Sequence, residues 1–287
     1  MKQTTLEIFG LPIFKGTAVE FSRLLSGCLK KQDGPTLVAT PNPEQIVLAS
    51  KSRKFYNTLK RFDWLTPDGI GLIKASCWLK RAGKVKACLK ERITGVDLVS
   101  WLFEFATKHN LRVLVVGGKG LRDLEFKIKN EKFKIVGQRG VNRDRRWKME
   151  DGRWEMGDGR RNIGRDKIAQ VVYWIEGYKN KTRPTEAEEQ GIISIITKLK
   201  PDIVLVALGA PEQERWLVDH RPLLEASGVK LGLTIGGAMD MLVGRVPRAP
   251  GWLQTIGLEW LWRLAQEPWR WRRQLRLFKF VWLVIRS

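Results

Sequence analysis

The sequence contains few of the residues that build metal centres and disulfide frameworks. It has two histidines, His109 and His220, and three cysteines, Cys28, Cys77 and Cys88. No two of these cysteines have the CxxC spacing that is typical of a metal site or a redox motif. We therefore expect neither a zinc site nor a disulfide framework.

Long apolar runs are also missing. No stretch approaches the roughly 18 apolar residues that a membrane-spanning helix needs. The N-terminal segment MKQTTLEIFG lacks the apolar region of a signal peptide. We therefore expect no signal peptide and no membrane span, and we expect a cytoplasmic protein or one bound to the inner face of a membrane.

Acidic residues are scarce beside basic ones. The 287 residues include 52 Lys and Arg but 30 Asp and Glu, which gives a formal net charge of +22. A balance this basic predicts an anionic partner, such as nucleic acid, anionic lipid or a phosphorylated substrate. The hydrophobic content of 43% is enough to bury a core, which argues against a largely disordered chain.

The apolar segments that are present alternate with helix-like segments. Runs of Val, Ile and Leu of this length are typical of parallel strands that are covered on both faces. The pattern predicts a Rossmann-like α/β fold with a mostly parallel sheet flanked by helices. The predicted strands lie at 36–40, 111–118, 133–138, 201–209 and 229–237, and predicted helices include 44–61 and 119–130.

Residues 139–166 interrupt this alternation. Within them WKMEDGR (147–153) is followed at once by WEMGDGR (154–160), an imperfect repeat of seven residues. Two copies are too few for a solenoid. Their Gly, Arg and Asp content favours a solvated loop, and we interpret the segment as an insertion.

In a doubly wound sheet, ligands bind beyond the carboxyl ends of the strands. The turn LTPDGIG (65–71) is informative because Pro67 fixes one backbone dihedral and Gly69 permits another. Asp68 therefore lies on a rigid turn, where it is either an ordinary turn or cap residue or a member of a site.

A glycine-rich turn follows the predicted strand at 111–118. Gly117, Gly118 and Gly120 would let the backbone approach a phosphate at the start of a helix. The pattern is neither a complete GxGxxG nor a Walker motif. Tight packing of strand against helix explains these glycines equally well.

Further polar side chains follow other strands. Gln213 and Glu214 come after one buried strand, Asp240 comes after the next, and ERITGVDL adds Arg92 and Asp97. Each could be a cap or an ion pair, but their shared position at strand ends favours a site. The sequence has no DxD pair for a nucleotide-sugar metal, and no histidine lies near these turns to support a Ser-His-Asp mechanism.

Six blocks of the chain, taken together, resemble the WecG/TagA/CpsF glycosyltransferases, glycosyltransferase family 26. Their order and spacing match over nearly the whole chain, and the pattern RAPxW followed by GLEWxxRLxxEPxRxxR is highly specific. The insertion at 139–166 is the departure, after which the Gly-Tyr block resumes at Gly177-Tyr178. The blocks are TPNPEQI (40–46), TPDGIG (66–71), ERITGVDL (91–98), PDIVLVALGAPEQERW (201–216), GGAMDMLVGRVPRAPGW (236–252) and GLEWLWRLAQEPWRWRR (257–273).

The resemblance implies an inverting, metal-independent transferase that uses no cofactor. It would move an N-acetylmannosamine-type sugar from a UDP donor to a prenyl-diphosphate-linked N-acetylglucosamine, in surface polysaccharide or teichoic acid synthesis. Because the acceptor is a membrane lipid, the resemblance implies a peripheral enzyme on the inner face of the plasma membrane. It also implies that an oligomer is possible. A relative with a different UDP-sugar donor and a nucleic-acid-binding α/β module are the alternatives.

The resemblance also implies the site residues. Asp68 matches the family's base, which would take the proton of the acceptor hydroxyl as the new bond forms. Arginines of the C-terminal segment would complete the site, where their fixed charge suits the departing diphosphate in the absence of a metal. These arginines are Arg263, Arg270 and Arg273, and the polar pocket residues are Thr40, Asn42, Arg92, Tyr178, Gln213 and Asp240.

The C-terminal segment 245–287 is predicted to form a basic helical appendage to a catalytic domain at 1–244. One helix is expected at 254–266, with Glu259 and Arg263 able to pair at i, i+4. Beyond Pro268, a second helix would carry one continuous apolar stripe. Its residues are Trp271, Leu275, Phe278, Trp282 and Ile285.

Three interpretations of this stripe compete. It could dock on the α/β domain as core, it could stack on nucleic-acid bases while the arginines meet phosphates, or it could lie in a membrane interface. No recognised nucleic-acid module accompanies it, so we expect no nucleic-acid partner. Tryptophans at headgroup depth with basic residues facing anionic lipid fit the pattern best, and we expect 245–287 to bind a membrane surface.

Overall fold

A computed structural model of the chain describes residues 4–31, 34–121, 124–128, 131–137, 147–150, 153–156, 168–268 and 271–287. The strands, in chain order, are β1 (Thr5–Ile8), β2 (Leu11–Phe14), β3 (Thr36–Ala39), β4 (Trp64–Leu65), β5 (Val113–Gly117), β6 (Glu125–Ile128), β7 (Glu131–Gly137), β8 (Trp147–Glu150), β9 (Arg153–Met156), β10 (Ile168–Ile175), β11 (Ile203–Ala207) and β12 (Leu231–Thr234).

Ten of these strands form one sheet in the order β1-β2-β4-β3-β12-β11-β5-β10-β7-β6. The pairs at the two edges, β1–β2 and β6–β7, are antiparallel, and every other neighbouring pair is parallel. The prediction of a mostly parallel, Rossmann-like sheet is confirmed. Because the parallel strands share one direction, the turns after β3, β4, β5, β10, β11 and β12 lie along the same edge of the sheet.

The central strands are buried on both faces because their side chains alternate between two cores. In β5, Val113 and Val115 belong to the first core, on one face of the sheet, while Leu114 and Val116 belong to the second core, on the other face. All four are fully buried. Continuous apolar sequence therefore fits a strand that is covered on both sides.

Helices cover both faces of the sheet. Those whose buried residues join the first core are α1 (Ala18–Lys30), α5 (Gly95–His109) and α9 (Ala238–Leu242). Those that join the second core are α2 (Pro43–Lys51), α3 (Arg53–Lys60), α4 (Ile70–Arg81), α6 (Glu186–Leu199), α7 (Glu212–Asp219), α8 (Arg221–Ala226) and α12 (Trp271–Arg286). Two short helices, α10 (Gly251–Ile256) and α11 (Glu259–Gln266), precede α12.

The helix predicted at 119–130 is wrong. Residues 125–128 form strand β6, which pairs antiparallel with β7 at the edge of the sheet. The sequence EFKI alternates polar and apolar residues with a period of two, and Phe126 and Ile128 are both buried. The glycine turn after β5 therefore does not lead into the predicted helix. At Gly117, a Cβ would lie 2.9 Å from the backbone of Ala207, so close packing of β5 on β11 requires this glycine.

Two other predicted helices are each divided in two. The segment 44–61 becomes α2 and α3, separated at Ser52, whose side chain accepts a hydrogen bond from the Phe55 N–H and caps α3. The segment 254–266 is divided at Gly257, which has φ of 83° and ends α10. A Cβ at Gly257 would lie 2.3 Å from the Ile70 side chain, so only glycine lets this turn approach α4.

The insertion contains regular structure where the structure describes it. Strands β8 and β9 form a two-stranded antiparallel sheet in which Trp147 pairs with Met156 and Glu150 pairs with Arg153. Strand β8 lies in the first copy of the repeat, and all of β9 except Arg153 lies in the second, so the interpretation of 147–150 and 153–156 as a plain loop is wrong. The rest of the predicted insertion, residues 139–146, 151–152 and 157–166, lies outside the described residues.

Helix α12 packs on α2 and α4 through one face. Phe280 and Val284 are buried in the second core, and the ring of Phe280 meets Phe9 edge-on at 6.2 Å. The predicted stripe lies on the opposite side of the helix and is exposed, with Phe278 at 72% and Ile285 at 62%. The interpretation of this stripe as core is therefore wrong. None of the described helices is long and apolar enough to traverse a bilayer.

Candidate active site

A large cavity of about 1660 Å³ opens at the edge of the sheet where the parallel strands end. The loops after these strands form one part of its wall, and helices α4, α11 and α12 form another. Eight of the residues predicted for the site line it: Thr40, Asn42, Asp68, Arg92, Tyr178, Gln213, Asp240 and Arg263. Arg270 lies outside the described residues, and Arg273 is in α12 with no described side chain.

Asp68 lies on the turn between β4 and α4. Its backbone N–H donates to the Pro41 carbonyl at 3.1 Å, and Gly69, with φ of 97°, lets the chain turn into α4. The side chain is half-buried against the cavity. Burial and the nearby charge of Glu259 raise the pKa of Asp68 to about 7, although Arg92 opposes the shift. A carboxylate with this pKa is suited to accept a proton near neutral pH.

Arg92 joins the strand-end loops to the C-terminal helices. Its Nη1 donates to Glu259 Oε2 at 2.8 Å, and its Nη2 donates to Gln254 Oε1 at 2.7 Å. Both partners belong to the C-terminal segment, in α11 and α10. Arg92 thus holds the C-terminal segment over the cavity, and Arg92 itself also lines the cavity.

The predicted pair between Glu259 and Arg263 does not form. Glu259 instead pairs with Arg92, and Arg263 Nε donates to Glu267 Oε2 at 3.0 Å, one helical turn further along. The guanidinium of Arg263 also extends over the turn after β12, because a Cβ at Gly237 would lie 2.7 Å from its Nη2. Arg263 therefore brings a cation from α11 to the strand-end wall of the cavity.

Two predicted polar residues have internal partners. The Oδ1 of Asn42 caps α2 by accepting from the Gln45 N–H at 3.0 Å. The Oε1 of Gln213 accepts from the backbone N–H of Gly209 and of Gly236, each at 3.1 Å. Gln213 therefore ties the loop after β11 to the loop after β12, and both residues shape the wall that a substrate would meet.

Tyr178 is fixed by a network behind the cavity wall. Its hydroxyl donates to Glu189 Oε2 and accepts from the Trp216 indole N–H at 2.6 Å. The other oxygen of Glu189 pairs with His220, whose ring stacks on Trp216 with centroids 4.2 Å apart. Burial raises the pKa of Tyr178, and the bond to Glu189 raises it further, so the phenol stays neutral.

Thr40 is buried in the loop after β3, and Asp240 has a partner that sequence reasoning missed. Arg245 lies 3.5 Å from Asp240 and also donates to the backbone carbonyls of Lys119 and Gly120. It thus clamps the glycine turn after β5 at the rim of the cavity. Both arginines of GRVPRAPGW, Arg245 and Arg248, pair with aspartates, and the density of arginine in that block was the available signal.

Asp97 forms an ion pair and a hydrogen bond within the protein, which was one of the two roles that the sequence left open. It lies in the first turn of α5, where its carboxylate accepts from the Thr94 hydroxyl at 2.7 Å and pairs with Arg248 at 2.8 Å. Burial alone would raise the pKa of Asp97. Hydrogen bonds from Arg248 and Thr94, together with the charge of Arg248, lower that pKa overall. Thr94 is the N-cap of α5, and Asp97 is its partner and an ion-pair partner that holds the RAPGW block.

The sequence is similar to proteins of one known family. A sequence model of the Glycosyl transferase WecG/TagA/CpsF family matches residues 6–140 and 160–287, and the gap between these two ranges falls within the insertion. A Bacillus subtilis (strain 168) protein is 28% identical over 287 residues, covering 99% of this chain and 92% of the relative. A Bacillus spizizenii (strain W23) protein is 28% identical over 256 residues, covering 89% and 80%. Both are named N-acetylglucosaminyldiphosphoundecaprenol N-acetyl-beta-D-mannosaminyltransferase.

Proposed function

The chain belongs to the WecG/TagA/CpsF family of glycosyl transferases, and from that premise we propose that it transfers an N-acetylmannosamine-type sugar. The donor is the UDP-sugar, and the acceptor is N-acetylglucosamine linked through a diphosphate to a prenyl lipid. The names of the two Bacillus relatives contain this sugar and this acceptor, and the relatives align with nearly all of the chain or most of it. The product would enter the synthesis of a surface polysaccharide or teichoic acid.

The observation that carries the proposal is the placement of Asp68 in a cavity with two kinds of wall. The strand-end loops supply polar side chains, and α4 and α12 supply apolar ones such as Ile70, Trp78 and Phe280. A sugar nucleotide needs the polar wall, while a prenyl chain needs the apolar one. A single cavity that offers both fits a reaction between a soluble donor and a lipid-linked acceptor.

Asp68 is the proposed base. The acceptor hydroxyl attacks the anomeric carbon of the donor sugar, the bond from that carbon to the UDP oxygen breaks, and the hydroxyl proton moves to the Asp68 carboxylate. Attack from the side opposite to the departing UDP inverts the anomeric centre. With a pKa of about 7, Asp68 is a stronger proton acceptor than an ordinary carboxylate and is still largely ionised above neutral pH.

The departing diphosphate needs positive charge, and arginine from the C-terminal segment is the proposed source. Arg263 is placed over the turn after β12, and the polar wall also carries Lys119, Lys181 and Arg245. Fixed donors aimed at developing charge are often the largest catalytic contribution. Arg270 and Arg273 remain predicted members of this group.

We expect Glu259→Gln to shift the acid limb of the pH–rate profile to lower pH. The negative charge of Glu259 raises the pKa of Asp68, so its removal lowers that pKa and ionises the base at lower pH. The glutamine oxygen can still accept from Arg92, so the contact between α11 and Arg92 is retained. The measurement is kcat/KM against pH for both proteins.

The matched control for this shift is Glu44→Gln, which removes a carboxylate from another wall of the same cavity. It should leave the acid limb where it is in the native enzyme. An unchanged limb in Glu259→Gln, or an equal shift in both variants, would contradict the assignment of that limb to Asp68.

The exposed stripe of α12 is the proposed membrane contact. Its aromatic and aliphatic side chains are exposed while the opposite face is docked on the domain, and Trp252 and Trp260 of the preceding helices are exposed too. Basic residues lie beside the stripe: the charges of Lys279 and Arg276 lower the pKa of Lys51. Anionic headgroups would relieve this repulsion, at about 1 kcal/mol per basic residue near the surface.

Replacing Phe278 and Trp282 by serine should therefore weaken binding to anionic vesicles. Each large apolar side chain is worth roughly 1.5–3 kcal/mol when fully buried, so the double variant should lose at least about tenfold in vesicle affinity. The unfolding temperature should not fall, because both side chains are exposed. Sedimentation with vesicles measures the affinity.

Val19→Ser provides the control, since Val19 is 61% exposed on α1, which packs on the other face of the sheet. It should bind vesicles as the native protein does. Equal binding by the double variant and this control would exclude the stripe as the contact.

The function itself is tested by UDP release from the full-length protein in the presence of EDTA. The acceptor is prenyl-diphosphate N-acetylglucosamine in anionic vesicles, and the donors compared are UDP-N-acetylmannosamine, its uronate and UDP-N-acetylglucosamine. We expect acceptor-dependent release with the first donor. Release with another donor alone would reassign the sugar, and salt-sensitive oligonucleotide binding without release would favour the nucleic-acid alternative.

A further inference from the structure

A buried carboxyl group lies behind the active-site wall and has no role in the chemistry described so far. Glu214 is in the first turn of α7 and is fully buried. Its Oε1 accepts from Gln45 Nε2 at 2.9 Å and from Gln213 Nε2 at 2.7 Å. Its Oε2 is buried with no hydrogen-bond partner among the described residues.

The two amides that meet Glu214 hold three loops of the cavity. Gln213 accepts from the N–H groups of Gly209 and Gly236, which belong to the loops after β11 and β12. Gln45 forms a reciprocal capping box with Asn42, with both hydrogen bonds at 3.0 Å, in the loop after β3. One carboxyl oxygen therefore joins the three loops that carry much of the polar wall.

Glu214 does not line the cavity, whereas Asn42, Gln45 and Gln213 all do. It therefore acts on substrates only through the two amides. The arrangement also favours an uncharged carboxyl, because a buried carboxylate oxygen without a partner is far more costly when the group is ionised.

Building on the proposed transferase function, we propose that Glu214 is a positioning residue, a neutral hydrogen-bonded hub that sets the geometry of the loops after β3, β11 and β12. In this role it accepts from both amides through Oε1 and carries its proton on Oε2. The hub aligns the polar wall with Asp68, which lies on a fourth loop, so that donor and acceptor meet in reactive geometry.

The expected titration supports this assignment. Burial raises the pKa of Glu214 to about 7 against the opposing effect of its hydrogen bonds, and the charge of Glu212 on the same helix raises it further. The neighbours from α2 and from the loops after β11 and β12 present amides and N–H groups. Since the folded pKa lies above the ordinary value of 4.5, the group's contribution to stability is present at low pH and is lost as pH rises through about 7.

The test compares Glu214→Gln with Glu214→Leu in the full-length protein, using Asp219→Asn, at an exposed position of the same helix, as the matched control. Glutamine keeps a neutral acceptor for both amides, and leucine keeps volume without an acceptor. We expect Glu214→Gln to retain kcat/KM at neutral pH and to lose any fall in rate that native enzyme shows above about pH 7. We expect Glu214→Leu to lose up to about 100-fold in kcat/KM, as misplaced reacting groups do.

Several results would overturn the hub. Glu214→Leu with native kinetics would show that the loops do not need it, and Glu214→Gln as impaired as Glu214→Leu would show that a neutral acceptor is not enough. If the fall in rate at alkaline pH is identical in native enzyme and in Glu214→Gln, ionisation of Glu214 is not its cause. If Glu214→Leu fails to fold, the glutamine variant alone still decides through its pH profile.

A second readout does not depend on transferase activity. The free energy of unfolding of native protein relative to Glu214→Gln should fall as pH rises from about 5 to about 9. At about pH 6 the infrared carbonyl band of protonated carboxylic acids should be weaker in the variant than in native protein, because Asp68 still contributes to the band and Glu214 no longer does. If native enzyme releases no UDP but the unfolding and infrared results are as expected, the proposed reaction fails while the neutral hub stands. If native enzyme releases UDP but neither the unfolding result nor the infrared result is seen, the hub fails while the proposed reaction stands.

Discussion

Asp68→Asn should lower kcat by about 10²–10⁴-fold, the range that a positioned general base contributes. Asparagine has the same shape but cannot take the proton of the acceptor hydroxyl. Binding of the UDP-sugar should change little, because the carboxylate is assigned to the acceptor side of the reaction. Steady-state kinetics with saturating donor and acceptor, beside donor affinity by calorimetry, separate the two effects.

The same variant should be at least as stable as native protein at about pH 8. The folded pKa of Asp68, about 7, lies above its ordinary value of 3.8, so native protein loses stability as pH rises through that interval and the asparagine variant does not. A loss of activity together with a gain or no change in stability therefore reports on chemistry. Asp219→Asn, on an exposed position of α7, is the matched control, and activity close to native in Asp68→Asn would refute the base.

A protein that lacks residues 245–287 should lose turnover and vesicle binding together. The deletion removes Arg263 from the cavity and removes both partners of Arg92, in α10 and α11. It also removes the exposed stripe of α12. UDP release with a water-soluble acceptor is the decisive measurement, because full activity there would show that the site is complete without the C-terminal segment and that the division at 244 separates a self-sufficient catalytic domain.

Phe280→Ala separates docking from membrane binding in the same segment. Phe280 is buried between α12 and the domain, and a buried Phe→Ala change typically costs about 3–5 kcal/mol. The variant keeps every arginine and the whole exposed stripe. We expect it to bind vesicles but to turn over slowly, because α12 no longer holds its wall of the cavity; normal turnover would show that the docked position is not required.

Sequence reasoning could reach the sheet and the strand-end residues because both depend on local patterns. Continuous apolar runs located β3, β5, β7, β11 and β12, and turn chemistry at Pro67 and Gly69 singled out Asp68. Strand β4 has only two residues, and β1 (TLEI) and β2 (LPIF) lack the continuous run of Val, Ile and Leu that marked the others. The EFKI segment carried the correct period of two, but the preceding glycines were read as the start of a helix.

The partners of the site residues could not be predicted in the same way. Arg92 is separated from Gln254 and Glu259 by more than 160 positions, and only the docking of the C-terminal helices brings them together. The i, i+4 spacing of Glu259 and Arg263 predicted a local pair worth about 0.2–0.5 kcal/mol, which a single contact to another part of the fold outweighs. Local spacing identified the charges, and the tertiary structure chose their partners.

The two opposite faces of α12 have a consequence for the length of the substrate. Phe278 and Ile285 belong to the exposed stripe and also line the cavity, so if the stripe rests on the bilayer the cavity opens at the lipid surface, and the height of Asp68 above the lipid is set by a helix about 10–12 Å across. The helix then works as a ruler. A sugar joined to the lipid by a diphosphate alone would reach the base, whereas the end of a longer glycan would extend past it, so this geometry would select the second sugar of a chain and reject later ones.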